Sequence, residues 1–331
     1  MALNSLYSEK IANNKIKTFM DFCAGIGGGR LGLSNNNLQC VAYSEIDNTA
    51  KETYQLFYGT EETNFGDLMS IIPADLPNFD VLIGGFPCQT FSIVGKREGF
   101  NDSRGQIIYG LAKILKEKQV PCFILENVKG LLNHDKGKTL KTITELLQSL
   151  NYDIKYKILD SSDYGIPQMR ERVYIVGIKK EITHSTFEFP NPLPMKKLSK
   201  FLIDSVEILP LENTTFQKYL HNKYNNNRVD INKILQRDYT IIDTRQSDLR
   251  IYENKCPTLR TGRHGILYTK NGNLYKLTGF EALLLQGFPL ELAIKAKKSN
   301  IPNSKLLSQA GNAMTVNVIQ KICENLIDCI E

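Results

Sequence analysis

Four groups of residues in this 331-residue chain could do chemistry. Cys88 lies in GFPCQTFS (85–92), between Pro87 and Gln89 and ahead of the polar stretch GKREGFNDSRG (95–105), not inside an apolar run. A thiol placed accessibly near basic residues can ionise and attack; the alternative is a spare thiol. Glu126 lies near the end of the run CFILEN (122–127), and its carboxyl in protonated form can donate to a ring nitrogen, or it caps a turn. Arg170 and Arg172 sit two apart in an extended segment, hence on one side of it. Two forked cations can hold a carbonyl oxygen and an acid together, or pair at the surface with Asp163 or Glu171. The fourth group is DFCAGIGGGRLG (21–32), which matches G-x-G-x-x-G at Gly27, Gly29 and Gly32. Glu45 and Asp47 follow, where a carboxylate can accept from ribose hydroxyls. That combination suggests an adenosine-containing cofactor, with NAD and S-adenosylmethionine both open, against a plain tight turn.

These groups have to be brought together by their elements. Runs at 16–22, 40–44, 79–85, 122–127, 154–160 and 172–178 are short and rich in Val, Ile, Phe and Tyr, and read as strands. Residues 107–118 and 138–150 place apolar side chains at helical spacing. Strand alternating with helix implies a mainly parallel, doubly wound sheet covered on both faces. In such a sheet the strand ends converge on one rim, which gathers the glycine turn, Cys88 and Glu126. The pattern breaks at PNPLP (190–194), and 195–275 is polar, Asn-rich and weakly periodic. A second, smaller domain of loops and short strands belongs there. Residues 280–288 and 316–330 read as helices, the last able to pack back on the first sheet.

Charge narrows the function. The formal net charge is +6, and residues 223–270 alone carry ten Lys or Arg against five Asp or Glu. With Asn225, Asn226, Asn227, Gln236, Gln246 and Tyr239 among them, these cations suit phosphates and base edges, or form a solvated face with interleaved acids. Seven scattered cysteines, with no Cys-x-x-Cys pair, fit reduced thiols and argue against a structural zinc. No run is apolar for the ~18 to 20 residues that a membrane span needs, and the start MALNSLYSEK lacks a leader pattern. A soluble, cytoplasmic protein is expected.

Taken in order, the motifs resemble the DNA (cytosine-5) methyltransferases, particularly the compact bacterial enzymes of restriction-modification systems. The resemblance runs from 21–30 through GFPCQTFS, SRG (103–105), ENV (126–128) and Gln168-x-Arg170-x-Arg172. It continues through CPTLRT (256–261) and LLLQGFP (283–289) to GNAMTVNV (311–318). It implies a Rossmann-like methyltransferase fold of class α/β with a loop-rich target-recognition domain. The expected domains are 1–190 plus 300–331 for catalysis and cofactor, 191–276 for target recognition, and a hinge at 277–299.

By that resemblance the reaction transfers the methyl of S-adenosylmethionine to carbon 5 of a flipped-out cytosine in double-stranded DNA, leaving S-adenosylhomocysteine, with no metal. Cys88 adds to carbon 6, Glu126 holds N3 and the exocyclic amine, Arg172 binds O2, and Arg170 supports the acid and the cysteine loop. The cofactor-binding set is Phe22, Ala24, Gly25, Ile26, Gly27, Gly28, Glu45, Ile46, Asp67, Leu68, Pro87 and Asn312. Cys23 stands where the family usually has an aromatic on the adenine, and Ile46 where many relatives have a larger aromatic. DNA contacts fall to Ser92, Arg104, Arg245, Gln246, Arg250, Arg260 and Arg263. The partners implied are double-stranded DNA and a cognate endonuclease, with the enzyme acting as a bacterial monomer, nucleoid-associated when on DNA. A tRNA cytosine-5 methyltransferase of the same fold is the alternative.

Overall fold

The computed structural model describes residues 16–86, 107–223, 225, 228–244, 249–262 and 264–330. Of the expected site residues, Pro87, Cys88, Ser92, Arg104, Arg245, Gln246 and Arg263 lie outside them. The chain divides into two compact units, one of residues 1–159, 171–191 and 314–331, the other of 160–170 and 192–313. This differs from the expected boundaries, because residues 277–299 and 300–313 both pack within the second unit.

The first unit is built on β1 (Thr18–Phe22), β2 (Gln39–Ser44), β3 (Thr63–Asn64), β4 (Val81–Gly85), β5 (Cys122–Val128), β6 (Tyr152–Asp160) and β8 (Glu171–Lys179). They form one sheet in the order β3-β2-β1-β4-β5-β8-β6. The first five strands are parallel. The apolar runs of β4 and β5 are buried on both sides, as parallel strands with helices on each face must be. β8 departs from the expected direction and runs antiparallel to β5. Only residues 161–170 separate it from β6, too few for the crossover helix that a parallel return requires.

Helices α1 (Gly28–Ser34), α2 (Asn48–Tyr58), α3 (Ile107–Glu117), α4 (Lys138–Gln148) and α10 (Val316–Asp328) belong to this unit. In α3 and α10 the buried positions, such as Ile108, Leu111, Ala112 and Leu115, or Ile319, Ile322, Cys323 and Leu326, recur at three- and four-residue steps. α10 crosses α1 closely at Gly32, where a Cβ would meet that of Ile319 at 2.6 Å. The sequence did not mark α2, although Asp47 caps it by accepting from Ala50 N and Ala50, Thr53, Tyr54 and Phe57 supply its buried face.

The second unit holds a two-stranded parallel pair, β7 (Gln168–Met169) with β11 (Cys256–Pro257). It also holds a four-stranded antiparallel sheet of β9 (Ile241–Thr244), β10 (Leu249–Tyr252), β12 (Ile266–Lys270) and β13 (Asn273–Lys276), in the order β10-β9-β12-β13. Phe216, Ile242, Leu267 and Leu274 are in its small core. Its helices are α5 (Thr214–Leu220), α6 (Ile231–Leu235), α7 (Gly279–Leu284), α8 (Leu290–Lys298) and α9 (Asn303–Asn312). The helix expected at 280–288 stops at Leu284, because Gly287 takes a left-handed φ of 85° and Pro289 follows. α7 begins with a capping box between Thr278 and Glu281.

Candidate active site

The strand order reverses between β1 and β4: the chain goes from β1 outward to β2 and β3, then returns to the other side of β1. A crevice opens at such a reversal, beyond the carboxyl ends of the two strands. The glycine turn leaves β1 there and Phe86 leaves β4, with Pro87 and Cys88 next in sequence but outside the described residues. Topology thus sets the ends of β1 and β4 beside each other, with Phe22 in register with Gly84.

On the β1 side, Gly25 and Gly27 adopt φ of 56° and 77°, the left-handed region that glycine enters without strain. A Cβ at Gly25 would meet nothing within 4 Å, so that part of the turn is open. Glu45 at the end of β2 is bound to the turn, with Oε2 accepting from Gly25 N at 2.7 Å. Its Oε1 accepts from Ile46 N at 2.8 Å and Asp47 N at 2.7 Å. Asn64 fixes the Glu45 backbone at both its N–H and its carbonyl. Glu45 Oε1 is filled by its two bonds, while Oε2 keeps a second lone pair that can accept from a ribose hydroxyl. Asp47 is occupied as the α2 cap and is not a ribose ligand of the same kind. Ile46 is 70% exposed beside Glu45, an apolar face open to a ring. Asp67 is exposed and caps a short turn through Met69 N, while Leu68 is buried. Gly28 opens α1, and Ala24 and Ile26 are buried, with Ala24 N donating to Ser44 O. These residues fit an adenosine group bearing a diol.

Phe22 lies inside the core with its ring 6.1 Å from that of Phe79, so it offers no face to a ligand. The neighbouring Cys23 is half-buried at a φ of 53°. Burial pushes its thiol up to about 12, and the charges of Glu45, Asp21 and Asp67 add to the shift. Cys40 is raised to about 12 by burial in the same way, and burial also raises Cys122, Cys256 and Cys323. These thiols stay protonated and are poor nucleophiles.

On the other side of the crevice, Gly85 of β4 is in register with Glu126 of β5, and Tyr174 of β8 faces Glu126 across the antiparallel pair. Arg172, two residues before Tyr174, is therefore the diagonal neighbour of Glu126 on one face. Its Nε lies 3.2 Å from Glu126 Oε1, with side chains only 14% and 12% exposed. The antiparallel direction matters here, since it brings the start of β8, not its end, to this rim. Asn127, one residue on, is buried, donates from Nδ2 to Phe86 O at 2.8 Å, and so pins the residue from which the Cys88 segment departs. The sequence reading missed this anchor, although alternation along β5 turns Asn127 away from Glu126.

Arg170 and Asn312 are in the second unit. Arg170 is buried, and its guanidinium donates to the carbonyls of Leu259, Gly311 and Ala313 at 3.2, 3.1 and 2.9 Å. These bonds brace backbone and do not reach an acid. Arg170 falls in the one-residue break between β7 and β8, where strand alternation does not carry across. Asn312 is exposed, with Oδ1 accepting from the Thr261 hydroxyl. Arg250 and Arg260 are exposed as well. Among the described residues no group of three or more His, Cys, Asp or Glu side chains could hold a metal ion.

Comparison with known proteins adds an independent line. Residues 17–328 match the model of the family described as C-5 cytosine-specific DNA methylase. The chain is 38% identical over 314 residues to the Type II methyltransferase M.NgoBI of Neisseria gonorrhoeae, covering 93% of each protein. It is 37% identical over 312 residues to the Type II methyltransferase M.HaeII of Haemophilus aegyptius, covering 94% of this chain and 93% of that one. Its fold is similar to that of the Entamoeba histolytica methyltransferase EhMeth, with a TM-score of 0.71 and 19% identity over 96% of this chain and 99% of the other.

Proposed function

The chain belongs to the C-5 cytosine-specific DNA methylase family and is a DNA cytosine-5 methyltransferase, and from that premise we propose how its own residues perform the reaction. The donor is S-adenosylmethionine, held on the glycine turn 23–28 with Glu45 at the ribose and Ile46 and Asp67 at the adenine. When bound, it supplies an electrophilic methyl group on a sulfonium. The observation that carries the reading is the Glu126–Arg172 pair, set one strand from the exit of the Cys88 segment.

Carbon 5 of cytosine is a weak nucleophile, so the Cys88 thiolate adds to carbon 6 and makes carbon 5 an enamine carbon. Covalent addition splits one hard step into two easier ones. Glu126 donates to N3 as charge develops there and accepts from the exocyclic amine. Arg172 uses one guanidinium edge on Glu126 and presents the other to O2. Carbon 5 would take the methyl group, with S-adenosylhomocysteine as the leaving thioether, and loss of the carbon-5 proton to a base or water would then restore the ring double bond and expel Cys88. Burial raises the thiols of Cys23, Cys40, Cys122, Cys256 and Cys323, and Cys329 is buried in the helical C-terminal region, which supports Cys88 as the thiol suited to attack. The target base leaves the duplex to reach this rim, at a cost of ~a few kcal/mol.

Residues 191–276 act as the target-recognition segment, with Arg245, Gln246, Arg250, Arg260 and Arg263 toward DNA and Ser92 and Arg104 in the segment after Cys88. The protein is the modification partner of a Type II endonuclease. The matched DNA family model and the Type II names of its relatives favour DNA over tRNA as substrate. Expression in a methylation-free host followed by bisulfite sequencing tests this reading. One short sequence context carrying 5-methylcytosine is expected, and uniformly converted genomic DNA with labelled tRNA would overturn it.

A further inference from the structure

We infer that Tyr58 is a positioning residue for the methyl-donor site: its hydroxyl and ring fix the glycine turn, and Arg30 and Glu62 hold the ring in place. The inference rests on the reading that this turn receives S-adenosylmethionine, and assigns a role to residues outside the expected site.

The geometry is a closed chain of contacts within the first unit. Tyr58, the last residue of α2, donates from its hydroxyl to Gly27 O at 2.8 Å. Its ring also fills the space where a Cβ at Gly27 would stand, with Cζ 3.0 Å from that point. The turn is thus held from beneath by one side chain, at the residue with its largest positive φ. A face of the ring carries the Arg30 guanidinium, whose central carbon is 3.9 Å from the centroid. Arg30 in turn grips Glu62 through both Nε and Nη2, and Tyr54 donates its hydroxyl to Glu62 at 2.8 Å. The Arg30 side chain is 15% exposed and that of Glu62 16%, so solvent screens the pair little. Arg30 N donates to the buried Asp21 Oδ2 at 3.0 Å, which returns the chain to the end of β1. Without the Tyr58 hydroxyl, Gly27 O would keep its helical bond from Leu31 N, but the turn before α1 would lose its lateral stop.

A turn held this way enters binding already ordered, so the cofactor does not bear that ordering cost. The effect belongs in cofactor affinity and not in the chemical step. Equilibrium dialysis of the full-length protein with tritiated S-adenosylmethionine, and titration with S-adenosylhomocysteine, read it directly. For Tyr58→Phe, which keeps the ring and its stack, the dissociation constant should rise roughly three- to tenfold, the value of one lost hydrogen bond. KM for the donor should rise in step, while kcat at saturating donor and the DNA dissociation constant stay at the unaltered values. Glu62→Gln, which loosens Arg30 without touching Tyr58, should shift affinity the same way. A folded Tyr58→Phe protein with unchanged donor affinity overturns the inference, as does a variant with lowered kcat alone. Failure of the unaltered protein to bind donor overturns the cofactor reading itself, and this inference with it.

Discussion

Glu126 and Asn127 are adjacent and face opposite ways on β5, and the two positions separate chemistry from support. Replacing Cys88 by Ser should leave DNA binding nearly intact and reduce methylation by orders of magnitude, measured by gel shift and methyl incorporation; retained turnover would remove Cys88 from its role. Glu126→Gln should slow adduct formation on DNA far more than it weakens donor binding, because the amide cannot protonate N3. An unchanged single-turnover rate would show that Glu126 is not the acid. Asn127→Ala deletes the bond to Phe86 O in a buried place, at a cost of roughly 1 to 3 kcal/mol. Its kcat should fall while its donor affinity holds. At this scale the sequence exposed the residue types and their company, since Cys88 beside Pro87 and Arg172 in Gln168-x-Arg170-x-Arg172 stand out by composition. It did not expose Arg170's work, because a guanidinium bracing three carbonyls leaves no pattern in spacing.

Elements were legible where burial dictates composition. β1, β2, β4, β5 and β8 are short apolar runs buried within a sheet, and each lies within about two residues of its expected span. The direction of β8 was not legible, since it depends on the length of a connection and not on any residue type. α10 packs Ile319 onto Gly32, and Ile319→Ala should cost about 2 to 5 kcal/mol in chemical denaturation, the range for such truncations in a closed core. In α7, Glu281 is buried and accepts from Tyr268 and Thr278. Burial raises its carboxyl pKa above the ordinary range, and hydrogen bonds from Tyr268, Thr278 and Asp204 oppose the rise only in part. A folded pKa above the unfolded one means that this group's contribution is complete at low pH and declines as pH climbs through the raised value. Glu281→Gln should therefore gain melting temperature relative to the unaltered protein as pH rises above the ordinary carboxylate range. A difference independent of pH would show that the carboxyl titrates at the same pKa in the folded and unfolded states.

For the whole molecule, ten cations against five acids in 223–270 predict DNA affinity that falls with salt, with a logarithmic slope of about 0.9 per neutralised phosphate. Affinity indifferent to salt would remove that segment from the interface. The change of composition at 190–194 was readable in the sequence, and the two compact units meet in the chain near 191–192. That α8 and α9 pack with the second unit was not, because their apolar positions state only that they are buried, not against which sheet. The central claim is a transient bond between the Cys88 sulfur and carbon 6 of cytosine during methyl transfer. The direct measurement is mass spectrometry of tryptic peptides after reaction with duplexes carrying 5-fluorocytosine at the methylated position, with S-adenosylmethionine present. A stable methylated adduct on the peptide that contains Cys88 is the expected product. Methyl transfer to ordinary cytosine with no adduct at that sulfur would contradict it.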